Sequence, residues 1–106
     1  MEPILTNCYE HCRNLENDYK TRFPNRFEKN LCFYIKTGKK FHKIIFYYET
    51  DNGVHQSVHC FVDRINGDVY KAASWTQPAK GARYNILRDM DILKNADYTG
   101  SYLYKK

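Results

Sequence analysis

The stretch Phe41–Asp63, FHKIIFYYETDNGVHQSVHCFVD, decides the fold. Its first ten residues are rich in β-branched and aromatic side chains, which suit a pleated, half-buried surface. Asp51-Asn52-Gly53 follows, a hairpin turn whose residues tolerate positive φ. From Val54 the pattern alternates with a period of two, so Val54, Val58, Cys60 and Val62 are expected on one face. His55, Ser57, His59 and Phe61 are expected on the other. Two strands, 41–50 and 54–63, are therefore paired antiparallel.

The same pattern extends outward on both sides. Upstream, a strand over 28–37 carries Leu31, Phe33 and Ile35 on one face, and Thr37-Gly38-Lys39-Lys40 turns the chain into the next. Downstream, Asn66-Gly67 marks another turn into a strand at 68–73. Residues 3–20 read as an amphipathic helix, with Pro3 at a first helical position. Ile4, Leu5, Cys8, Tyr9, Cys12, Leu15 and Tyr19 recur at helical spacing, and Phe23-Pro24-Asn25 ends the run. The period is lost after Ala73. A structured basic loop is expected over 74–85, a short helix over 88–96, and an edge strand in the tail, 98–104. The fold class is α+β: an N-terminal helix packed on a four- to five-stranded antiparallel meander.

At 106 residues with 42% hydrophobic content, the chain is expected to form one domain, 1–106, able to bury a core without staples. No apolar run approaches the length of a membrane span, and the start carries no leader pattern, so the reading is a cytoplasmic protein with no membrane partner. The four cysteines are then reduced. Cys8, His11 and Cys12 would need two further ligands, such as His59 and Cys60, to hold zinc, and no C-x-x-C pair is present. Buried thiols are the simpler account, and neither metal nor cofactor is expected.

Net charge is +5 and sixteen of the seventeen aromatic residues are Tyr or Phe, with Trp75 the single Trp. The charge is uneven. Between Lys20 and Lys43 there are eight basic residues against Glu28 alone, and between Lys71 and Arg88 there are four with no acid. Such segments point to a polyanionic partner, a solvated surface being the blander explanation. The loop after the fourth strand is the first candidate site. Lys71, Lys80 and Arg83 would meet phosphates while Trp75 or Tyr84 stacks on bases. In the simpler alternative Trp75 plugs the end of the core. The second candidate is the outer sheet face, with Lys43, Tyr47, His59 and Phe61 as a stacking platform or a dimer interface.

No catalytic residue is assigned. His55 and His59, at i and i+4 on a strand, lie roughly 13 Å apart, too far to bracket one phosphorus in acid–base cleavage of RNA, so one of them would need His42 as partner. Asp63 and Asp68 flank a turn, where Asp serves local hydrogen bonding.

The run Phe61-Val62-Asp63, Gly67 to Trp75 and Pro78 to Asn85 resembles small proteins encoded by phages and other viruses, over about residues 58–86. That resemblance implies a virus-encoded protein acting in the host cell and supplies no activity. The expectation is a non-enzymatic binder of a phosphate-rich ligand, foremost nucleic acid. The alternatives are an accessory protein that sequesters a small nucleotide or binds a host protein, in either case as a homo-oligomer, and a structural virion component.

Overall fold

A computed structural model describes residues 2–24 and 29–104, with only the backbone of Lys29. The expected start of the first strand at Glu28 and the helix-breaking Asn25 lie outside the described residues.

Helix α1 (Pro3–Arg22) begins where Glu2 caps it, its carboxylate accepting the N–H groups of Ile4 at 2.7 Å and Leu5 at 3.0 Å. Pro3 loses nothing by lacking a donor at the first turn. The buried stripe is Ile4, Cys8, His11, Cys12, Leu15 and Tyr19. This corrects the sequence reading at two points, since Tyr9 is exposed and His11 is fully buried. The stripe's centre falls between positions 8, 11, 12 and 15, which turns Tyr9 outward.

Five strands follow in one sheet, each antiparallel to the one before: β1 (Lys29–Thr37), β2 (Phe41–Thr50), β3 (Gly53–Asp63), β4 (Asp68–Lys71) and β5 (Tyr84–Asn85). Helix α1 lies across one face of β1 and β2 and reaches β3, where Cys60 meets Cys8 and Cys12. The segment from α2 (Met90–Leu93) through the 3-10 turn Ser101–Tyr104 covers the rest of that face. Between them lie Phe33, Ile44, Cys60, Val62, Val69, Leu93 and Leu103.

Three expected elements differ. The fourth strand stops at Lys71, because Ala72 pairs instead with Pro78 and starts a tight loop. The short helix is a single turn, since Asp89 accepts the N–H of Asn85 and leaves the α2 end uncapped by its side chain. The tail forms no edge strand. Asp97 binds the hydroxyls of Thr99 and Ser101 and the N–H of Tyr102, and Gly100 takes φ +82°, so the chain curls into a 3-10 turn. The fifth strand is 84–85 instead.

The most consequential difference is a β-bulge. Ile44 pairs with Cys60 but Ile45 pairs with Val58, leaving His59 as the extra residue. The bulge reverses the facing of the first half of β3. His55, Ser57 and His59 lie on the helix side, while Val54 and Val58 lie on the far side with Phe61. The expected grouping of His59 with Phe61 is thereby overturned.

Candidate basic aromatic face

The far side of the sheet can be read row by row. Lys36 of β1 pairs with Lys43 of β2, which pairs with Phe61 of β3, which pairs with Tyr70 of β4. Side chains directly opposite on neighbouring antiparallel strands stand within about 5.5 Å at Cβ, so this row sets two lysines side by side beside two rings. Phe41, one pair further on, packs its ring against Phe61 at 5.7 Å and against Tyr70 at 5.9 Å. Above this aromatic floor runs a trough of about 250 Å³ lined by Lys36, Lys39, Lys40 and Lys43, with Thr76 on its far wall. Among the described residues no carboxylate lines it. The wall formed by the β1–β2 turn is held by Arg64, whose guanidinium donates to the carbonyls of Gly38 at 2.8 Å and Lys39 at 3.1 Å.

Trp75 stands at the tip of the loop after β4. The N–H groups of Ala73 and Ser74 both donate to the Gln77 carbonyl, and the Ser74 hydroxyl accepts from Thr76 and Gln77. This tight turn projects the indole over Lys43, whose Nζ lies 4.7 Å from the ring centroid and 5.7 Å from that of Phe61. The indole is 42% exposed, so it is no plug of the core. Residues from both expected regions thus meet on this face: Trp75 from the loop, Lys43 and Phe61 from the sheet. Tyr47 shares the face further along β2, with its hydroxyl on Glu49 and its ring edge against Tyr34 at 6.3 Å. Ile45 and Phe61 are buried there by the chain itself.

The other expected residues go elsewhere. Lys71 pairs with Cys60 on the helix side, its Nζ 4.3 Å above the Tyr104 ring. It lines a second cavity of about 190 Å³ together with Ser57, His59 and Thr99. Tyr84 donates its hydroxyl to the Tyr102 carbonyl at 3.0 Å and packs against the core. Lys80 is exposed next to Gly81, and Arg83 is half-buried with its N–H on the Val69 carbonyl. Lys36, Lys39 and Lys40 were not singled out in the sequence, although the turn between β1 and β2 places them.

His59 sits 2.7 Å from the Tyr102 hydroxyl, which also lies 2.8 Å from His11. Its second nitrogen is bound to the Tyr98 backbone, so His59 Nε2 must accept from Tyr102 and His11 Nε2 must donate to it. Burial lowers His11 to about 3 and His59 to about 4, leaving both neutral near pH 7. His55 is apart from them, stacked on Tyr48 at 4.8 Å. Both ring nitrogens of His59 are engaged, whereas His11 Nδ1 is buried without a hydrogen-bond partner, so the group is a buried relay closed off from solvent. The same burial lifts the thiols of Cys8 and Cys12 to about 12. Among the described residues no three His, Cys, Asp or Glu are placed to hold a metal ion, and no helix is long and apolar enough to cross a membrane.

Residues 1–105 match a family described as one of unknown function, DUF7717. The chain belongs to that family. No curated protein and no solved structure matches it. For this DUF7717 member, the chemistry of the site therefore rests on its geometry.

Proposed function

We propose that the protein binds a phosphate-rich ligand, most simply nucleic acid, across the Lys36–Lys43 row. The observation that carries this is the row itself. Like charges directly opposite on neighbouring strands destabilise a sheet, and here Lys36 faces Lys43 while Lys39 and Lys40 line the same trough. A row so charged, with no carboxylate among its lining residues, is relieved when phosphate oxygens enter between the ammonium groups. The exposed Trp75 beside it adds a flat surface on which a base can stack. The trough is open along the sheet and does not enclose a ligand, which supports an extended ligand over a sequestered nucleotide. The resemblance of residues 58–86 to viral proteins adds to the proposal a virus-encoded protein working in the host cytoplasm.

The test is a titration of oligonucleotides followed by Trp75 fluorescence at several salt concentrations. Saturable quenching is expected, with affinity falling steeply as salt rises, because neutralised phosphates release counterions. Lys36→Gln together with Lys43→Gln should lower the slope of log affinity against log salt by roughly 1.4, about 0.7 per lost contact on a single strand. Affinity indifferent to salt, or a double variant that binds like the parent, would overturn the proposal.

A further inference from the structure

Resting on that reading, we infer that the ligand is a single strand, held by its backbone in the trough and by its bases on Trp75 and Tyr34, and that duplexes are excluded. Three observations lead there. First, the basic face is the side of the sheet opposite the helix. Helix α1 and the 3-10 turn lie on the opposite side, so no helix projects from the lysine row to enter a major groove, the usual way of reading duplex bases. Second, the trough lies between the 37–41 turn and Thr76, where Lys36, Lys39, Lys40 and Lys43 can follow the phosphates of one strand. Third, the aromatic residues beside the lysines are open. Trp75 is 42% exposed and Tyr34 is 37% exposed. Tyr34 pairs with Ile45, the next position on this face from the Lys36–Lys43 pair. Its hydroxyl is fixed at 2.6 Å to Gln56, which holds the ring in place.

Base faces are available for stacking only where the strand is unpaired. The two rings flank the lysine row, Trp75 over Lys43 and Tyr34 beside Lys36. A strand crossing the row would set a phosphate between the ammonium groups and a base on either side. Stacking is tolerant of sequence because every base has a flat face, so little sequence preference is expected.

The experiment measures anisotropy of a fluorescently labelled twelve-nucleotide oligothymidylate against the full chain at low salt. Its duplex with oligodeoxyadenylate and inorganic polyphosphate serve as competitors. The single strand should bind at least tenfold more tightly than the duplex. Trp75→Ala and Tyr34→Ala should each weaken it about tenfold, the middle of the range for removing one stacking ring. Both side chains are exposed, and circular dichroism of the variants checks that they fold. Duplex binding equal to the single strand overturns the inference and leaves the proposed function standing. So does polyphosphate competing as well as the oligonucleotide, with Trp75→Ala unchanged, since phosphate alone is then recognised. Failure of every polyanion to bind overturns the proposed function itself.

Discussion

Tyr102 shows how much one hydroxyl can organise. It lies between two buried imidazoles and joins them, donating to His59 and accepting from His11. Burial depresses both histidines, to about 3 and about 4. The unfolded chain takes up these protons near pH 6.5, and the folded chain resists until well below that. Their contribution to stability is therefore complete above pH 6.5 and is lost as pH falls toward 4. Urea unfolding at stepped pH should show stability falling below pH 6 by roughly 1.4 kcal/mol per pH unit for each histidine. A flat profile between pH 6.5 and 4.5 would contradict the neutral pair. None of this is visible in the sequence, where His11 sits between Glu10 and Cys12 and Tyr102 lies 91 residues away. Trp75 was equally undecidable, because a lone Trp beside Pro and Gly suits a core plug and an exposed tip alike.

At the scale of elements, the meander was legible because turn signals and period-two patterning agree at every hairpin. Even the Lys36–Lys43 pair follows from the β1–β2 turn, which sets Thr37 opposite His42. The bulge was not legible, for a physical reason. β3 alternates without a flaw, yet Thr50 pairs with Gly53 while Phe41 pairs with Asp63, so β3 holds one residue more than β2 can match. The excess is absorbed where His59 can reach Tyr102, a tertiary preference that no local pattern encodes. The tail was misread for a similar cause, since the Asp97 side chain competes with strand pairing. Deleting His59 should leave the ladder regular, with Ile44 opposite Cys60 and Ile45 opposite Val58. Cross-strand nuclear Overhauser contacts should persist and oligonucleotide affinity should be unchanged. Stability should drop by about 3 kcal/mol from the cavity left under Tyr102. Loss of the cross-strand contacts would show that His59 sets the register.

Across the whole molecule, the two sheet faces separate the two tasks. The helix side carries Cys8, Cys12 and Cys60, the histidine relay and the aliphatic core, while Cys32 lies opposite Tyr47 on the other face. The far side carries Lys36, Lys43 and the open rings of Trp75 and Tyr34. Three of the thiols, Cys8, Cys12 and Cys60, are buried, and only Cys32 is partly exposed. In the native state a thiol reagent should label Cys32 alone, and denaturant should expose the other three together. The raised values of Cys8 and Cys12 slow their reaction further, because the thiolate is the nucleophile. Mass spectrometry after brief labelling checks this, and early labelling of Cys12 would mean that α1 lifts from the sheet.

The helix also reaches past the sheet's margin. The Glu16 carboxylate accepts the backbone N–H of Phe33 at 2.9 Å, in the middle of β1, the outermost strand. A free strand margin is a template on which another chain can add itself and begin an aggregate. Here the donor that an incoming carbonyl would need is already taken, and a negative charge stands in its path. Glu16 thus acts as a gatekeeper for the colloidal behaviour of a protein whose margin would otherwise invite growth of the sheet from molecule to molecule.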